Sequence, residues 1–158
     1  AENFRRVGDD SRVHQNKIKI KVFGDREILP DDVKAAIQYA EDRTKDYDDY
    51  RFNLAVAYGG REEILQAIRD VVRDAQAGKV LPDDINEKFF SRRLYTADLP
   101  DPDLVLRTSG EERISNFFLW QLAYSELYFV DVYWPGFRKI DFLRALRSYQ
   151  QRQRRYGE

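Results

Sequence analysis

The stretch Phe52–Tyr58 (FNLAVAY) does most to limit what this chain can become. It is nearly continuous in apolar residues and ends at Gly59-Gly60. Ile64, Leu65, Ile68, Val71, Val72 and Ala75 then recur at spacings of three and four, before Gly78. An unbroken apolar strand suits a parallel sheet, whose crossover helices cover both of its faces. A glycine turn leading into an amphipathic helix is such a crossover. The rest of the chain repeats the alternation. Lys17–Phe23 (KIKIKVF) alternates basic and apolar residues and ends at Gly24-Asp25, which predicts a strand with one covered face. Pro30-Asp31-Asp32 opens a helical pattern through Val33, Ile37 and Ala40. Leu81-Pro82-Asp83-Asp84 starts a short helix, and Leu99-Pro100-Asp101-Pro102-Asp103 delivers the chain into a strand at Leu104–Arg107. A helix beginning near Arg113 and buried nearly all round is expected through Ala123, then a strand over Leu127–Trp134. A last helix from Asp141 to about Arg155 is expected to turn Phe142, Leu146 and Tyr149 inward. The predicted fold class is α/β, a mainly parallel sheet with helices on both faces, in a single domain over residues 1–158. Ligands of such sheets bind beyond the carboxyl ends of the strands, which directs attention to Gly24-Asp25, Tyr58–Arg61 and Arg107–Gly110.

Composition narrows the chemistry. The 158 residues include no Cys and one His, so a disulfide, a thiolate metal site, a thiol nucleophile and a His-based triad are excluded or improbable. With 42% hydrophobic and 35% charged residues the chain is neither disordered nor a membrane span. A formal net charge of −1 supplies no global field for nucleic acid. Any chemistry must therefore rest on carboxylates, arginines, lysines, hydroxyls or a carboxylate-held metal. The lack of Met and the helix-like start at Ala1 suggest a piece of something longer.

Residues 103–126 (DLVLRTSGEERISNFFLWQLAYSE) are the informative ones. Arg107 ends a strand, and Arg113-Ile114-Ser115-Asn116 follows a loop containing Gly110. Two guanidinium forks, a hydroxyl and a helix start around one concavity suit a diphosphate. The same arginines could instead pair with Glu111 and Glu112 as structural ion pairs. Glu126, expected at the same sheet edge, suits magnesium, which takes one or two carboxylates with substrate phosphate oxygens, but it also suits a solvated helix end. His14, in a helix-to-strand connection, is expected to be a surface or packing residue. From Arg138 to Arg155 there are seven basic residues and one acidic; a solvated helix face and a membrane-surface contact both account for them, a nucleic-acid site poorly.

These residues also match a family. Arg107-Thr108-Ser109-Gly110-Glu111, Arg113–Phe117, Leu119-Trp120-Gln121, Ala123-Tyr124, Glu126–Phe129 and Trp134-Pro135 resemble the carboxyl-terminal signature of cis-prenyltransferases, the undecaprenyl diphosphate synthase family. Phe52–Arg61 with Glu63-Ile64 resembles its Asn-Tyr-Gly-Gly-Arg segment, Val22–Asp25 its Ile-Gly-Asp strand end, and Phe4–Asp10 its archaeal branch. The resemblance implies magnesium-dependent condensation of isopentenyl diphosphate with an allylic diphosphate, in Z geometry, by a homodimer. It gives Arg107, Arg113, Ile114 and Ser115 the diphosphate of isopentenyl diphosphate and gives Glu126 the magnesium. Gly59, Gly60 and Arg61 are fainter candidates, as is Arg155 in an ending that resembles the Arg-x-Gly contributed to a neighbouring subunit. Glu112 stands where bacterial members often carry His. The family's Asp-Gly-Asn turn, with its essential Asp, is found nowhere in the sequence. Ala1–Val13 is accordingly expected to be the end of a long helix, the allylic half of the site to lie upstream with the first strand–helix units, and this chain alone to be inactive. A non-catalytic accessory or dimerisation subunit is the alternative. The implied setting is cytoplasmic, with the membrane surface as one place within it, and no nucleic-acid partner.

Overall fold

Four short strands pair in parallel, two by two, in the computed structural model, which describes residues 1–152. The chain forms two compact units, Ala1–Ala97 and the part from Asp98 onward.

The first unit opens with helices α1 (Glu2–Gly8) and α2 (Ser11–Gln15) rather than the end of one long helix. The break has a local cause. Asp10 is extended, and its carboxylate accepts from Arg12 N at 2.9 Å, so it caps a new helix instead of continuing the old one. Strand β1 (Ile18–Phe23) and strand β2 (Tyr50–Ala55) run parallel in the register Ile18↔Tyr50 to Phe23↔Ala55. Helix α3 (Asp31–Thr44) begins directly after Pro30 and buries Ala36, Ile37 and Ala40. It also closes one edge of β1, because Thr44 Oγ1 accepts from Ile20 N at 3.0 Å and Glu41 Oε1 from Val22 N at 2.8 Å. Side chains thus occupy donors that a further strand would have used. Val13, Ile20 and Ala40 pack together with Val7 and Ile18 around them. His14 belongs to this packing: one ring nitrogen lies 2.9 Å from Gly8 O and the other 3.0 Å from Tyr47 OH. The imidazole therefore donates to the carbonyl and accepts from the hydroxyl.

β2 does not have both faces covered, as its apolar run had suggested. Tyr50 is 65% exposed and Phe52 43%, because β2 is the outer strand of a two-stranded sheet. Helix α4 (Gly60–Gln76) turns inward Glu63, Ala67 and Val71, a face rotated from the apolar stripe, and leaves Leu65, Ile68 and Val72 exposed. Buried Glu63 is satisfied at both oxygens, accepting from Tyr58 OH at 2.6 Å and Tyr95 N at 2.8 Å. A short helix α5 (Glu87–Ser91) completes the unit.

In the second unit, strand β3 (Leu104–Arg107) lies parallel to strand β4 (Glu126–Phe129), with Leu104 opposite Glu126 and Arg107 opposite Phe129. The helix expected from Arg113 to Ala123 does not form. Ser115, Asn116 and Phe118 have φ of +46°, +64° and +48°, so the chain passes through a series of turns; a right-handed helix cannot propagate through such residues. Its apolar side chains are mostly half-buried, and the fully buried one is Gln121. Helix α6 (Lys139–Gln151) starts two residues earlier than expected, with Asp141 accepting from Arg138 N at 3.0 Å in a capping box. Asp141 and Ala145 line its inner face, Leu146 and Tyr149 are half-buried, and Phe142, expected inward, is 46% exposed.

Two measurements test this packing. Gly24 has φ +129°, and a Cβ there would stand 2.0 Å from Val56 O, whereas Gly78 at φ +70° has open space around it. Chemical denaturation should show Gly24→Ala costing at least about 2 kcal/mol and Gly78→Ala about 1 kcal/mol. Hydrogen bonds from the Arg12 side chain and backbone hold the Asp10 carboxyl down at about 2. A carboxyl depressed in the folded state contributes stability above the ordinary carboxylate range and loses it as pH falls through about 2. NMR should find the Asp10 midpoint there, and Arg12→Ala should return it toward the ordinary value of about 3.9.

Candidate functional site

A cavity of about 380 Å³ opens at the carboxyl end of β3 and β4. Arg107, Thr108, Arg113 and Ser115 supply its polar groups, while Val105, Ile114, Phe117, Leu122, Leu127, Phe129 and Trp134 supply apolar wall. The polar side is held together internally. Arg107 Nη1 donates to Ser115 Oγ at 2.8 Å and to the carbonyl of Arg113. Arg113 in turn is ion-paired with Glu111. Sequence spacing had left open whether the two arginines face a ligand or the neighbouring glutamates. Arg113 does pair with Glu111, yet both arginines also line the cavity. Glu112 is exposed.

The loop between Arg107 and Arg113 is fastened to the chain beyond β4. Ser109 N donates to Val132 O at 2.9 Å and Gly110 N to Val130 O at 3.1 Å. Gly110 has φ +70°, and a Cβ there would come within 2.8 Å of Asp131 Oδ1, so glycine alone fits without displacement. This tether carries the loop back toward the strand ends and presents Thr108 beside Arg107. Thr108 and the aromatic wall were not singled out from sequence. The signal for Thr108 was its place in a strand-end loop; Phe117 and Trp134 looked like core residues because aromatic density marks burial more often than binding.

Glu126 lies elsewhere. The expectation that it shares an edge with Arg107 is not met, because in the parallel register it stands opposite Leu104 at the amino end of the pair. Three residues of strand separate that end from Arg107, about 10 Å. Its carboxylate accepts from Arg152 Nη1 at 2.6 Å, and Arg152 also donates to Leu127 O at 3.0 Å. Among the described residues, no group of three His, Asp or Glu side chains is placed to hold a metal ion. The residues around Arg107 therefore do not by themselves fit the magnesium that the family resemblance implies.

Gly59, Gly60 and Arg61 stand at the start of α4 in the first unit, where a second cavity of about 660 Å³ includes Gly24, Asp25, Glu62, Arg69 and Tyr95. Burial, with Asp25, Glu63 and Asp70 nearby, pushes the Tyr95 phenol above its ordinary value. Arg155 lies outside the described residues.

Residues 2–157 match the family model described as "Putative undecaprenyl diphosphate synthase". The chain belongs to this family. It is 60% identical over 148 residues to the tritrans,polycis-undecaprenyl-diphosphate synthase (geranylgeranyl-diphosphate specific) of Thermoplasma volcanium, covering 94% of this chain and 57% of that protein. With the synthase of the same description from Picrophilus torridus it shares 58% identity, covering 100% of this chain and 69% of the relative. Lavandulyl diphosphate synthase from Lavandula x intermedia, solved in complex with dimethylallyl diphosphate, superposes with a TM-score of 0.91 at 40% identity, over 99% of this chain and 65% of that one. A probable undecaprenyl diphosphate synthase from Campylobacter jejuni gives 0.82 at 32% identity, over 99% and 70%. The α/β fold with parallel strands is thus the fold of solved cis-prenyltransferases. The chain spans less than two thirds of the length of the Thermoplasma relative.

The Glu126–Arg152 pair is part-exposed, so it contributes only about 0.2–1 kcal/mol. Glu126→Gln and Arg152→Gln should each lower Tm by roughly 1–3 °C, and the double variant should be no worse than the more affected single one, as calorimetry would show.

Proposed function

We propose that this chain supplies the isopentenyl-diphosphate-binding part of a cis-prenyltransferase that lengthens an allylic diphosphate to a Z-polyprenyl diphosphate. The observation that carries the reading is one cavity with a guanidinium-and-hydroxyl side and an apolar wall. A branched five-carbon diphosphate has the matching division, with its charge at one end and its hydrocarbon at the other. Arg107 and Ser115 offer donors to phosphate oxygens, and Arg113 adds a second guanidinium fork. Phe117, Phe129 and Trp134 give the alkene an apolar wall. Likeness to the archaeal synthases supports geranylgeranyl diphosphate as the allylic substrate.

In the reaction, the bond between C1 of the allylic substrate and its diphosphate oxygen breaks, and the isopentenyl double bond supplies the electron pair for the new carbon–carbon bond. A proton then leaves the adjacent carbon, and free diphosphate carries away the charge. This chain's part is positioning: holding one reactant by its diphosphate makes the attack effectively intramolecular. No protein nucleophile is needed, in keeping with a chain without Cys and with His14 engaged in packing. Family likeness supports a magnesium requirement in the complete enzyme, and magnesium would assist departure of the allylic diphosphate there. No step assigned to these residues passes through the metal.

Steady-state kinetics on the protein as it occurs provide the test. A charge-assisted contact contributes about 1.5–3 kcal/mol, so Arg113→Ala should raise KM for isopentenyl diphosphate by roughly 10- to 100-fold and leave KM for the allylic diphosphate within about threefold. Equal increases for both substrates would overturn the assignment.

A further inference from the structure

The outward face of α6 combines basic and aliphatic side chains in a way the cavity does not explain. At 100° per residue the buried side is centred on Asp141 and Ala145, and the opposite side carries Lys139, Ile140, Leu143 and Arg147, while Arg144 lies to the side and reaches Asp141 at 3.4 Å. Ile140 and Leu143 are each 46% exposed, and Lys139 and Arg147 beside them are exposed as well. Asp141, the only acid in the helix, is buried on the inner side, where it accepts from Arg138 N and pairs with Arg144, so no acidic side chain of α6 stands beside Lys139 and Arg147. Immediately before the helix, Tyr133 and Trp134 are 75% and 72% exposed, and Trp134 also borders the cavity.

We infer that this face docks on an anionic lipid surface, with Ile140, Leu143 and Trp134 entering the headgroup boundary and Lys139 and Arg147 meeting lipid phosphates. Charge complementarity selects the occupant. A second copy of the same face would set cations against cations with no carboxylate between them. A nucleic acid would meet the cations, but two aliphatic side chains would sit against its phosphates. Trp134 is also already stacked on Phe137, with centroids 5.7 Å apart and planes 7° from parallel, so one ring face is closed to bases. An anionic bilayer satisfies all three components, because aliphatic groups enter it, Trp and Tyr settle at its boundary, and Lys and Arg remain with the headgroups. This inference is independent of the proposed reaction and is read by binding alone.

Sedimentation with phosphatidylcholine vesicles, with and without phosphatidylglycerol, tests it on the whole protein. Binding is expected only with phosphatidylglycerol, and it should weaken as salt is raised. Charge reversal in Lys139→Glu/Arg147→Glu should reduce partitioning by roughly fivefold or more for each residue. Leu143→Ser and, separately, Ile140→Ser should lower it several-fold, while Ile68→Ser, at an exposed apolar position on α4, should leave it unchanged. In a Trp120→Phe background the remaining Trp134 should shift its emission to the blue only with anionic vesicles. Equal binding to both vesicle types, or none to either, would overturn the inference. So would a single-stranded oligonucleotide that binds with the same sensitivity to charge reversal, or self-association that Leu143→Ser abolishes without lipid.

Discussion

Parallel pairing of β3 with β4 is the constraint on which the site depends. In a parallel pair both carboxyl ends reach the same edge, so the register that puts Arg107 opposite Phe129 makes one border from a cation and an aromatic ring. The backbone bonds from Ser109 to Val132 and from Gly110 to Val130 then hold the following loop against that border. With the loop held, the Arg107 fork reaches Ser115 and the Arg113 carbonyl, and the polar side of the cavity is assembled before any ligand arrives. The same register sends Glu126 to the far end of the pair, into the hands of Arg152.

The Arg113–Glu111 pair bears on how a diphosphate would be received. Its side chains are 64% and 41% exposed, so the pair is solvated and contributes little stability, on the order of 0–1 kcal/mol. A phosphate oxygen in a partly apolar cavity offers a stronger charge-assisted contact. On the proposed reading a diphosphate takes the place of the glutamate, and the Glu111 pair holds the guanidinium at the cavity in the absence of substrate. Ion pairing within the loop and ligand binding by the loop, which spacing presents as alternatives, are compatible uses of one side chain.

Local rules carried the sequence reading wherever a segment contained its own punctuation. Pro30 with Asp31 and Asp32 announces α3, Gly78 ends the helix α4, and the alternation in Lys17–Phe23 matches β1 nearly residue for residue. They failed where the outcome depended on partners distant in the chain. The density of Phe117–Leu122 is compatible with a buried helix, but three left-handed residues turn it into irregular chain that walls a cavity. The run at Phe52 predicts cover on both faces, yet side chains from α3 close the other edge of β1, and β2 remains outermost. The burial stripe of α4 rotated for a related reason: Glu63, unremarkable in a pattern of apolar positions, is drawn inward because Tyr58 and Tyr95 satisfy its carboxylate.

Sequence by itself determined the alternation of strand and helix, the family, and Arg107, Arg113, Ile114 and Ser115 as candidates, because each rests on residue type and short spacing. Only the tertiary structure decided that these four converge on one cavity with an aromatic wall, that Glu126 is held apart from them, and that α6 shows solvent a basic and aliphatic face. Those outcomes depend on register, on backbone dihedrals and on the direction in which each face turns. All three are set by contacts between residues far apart in the chain, which local spacing does not encode.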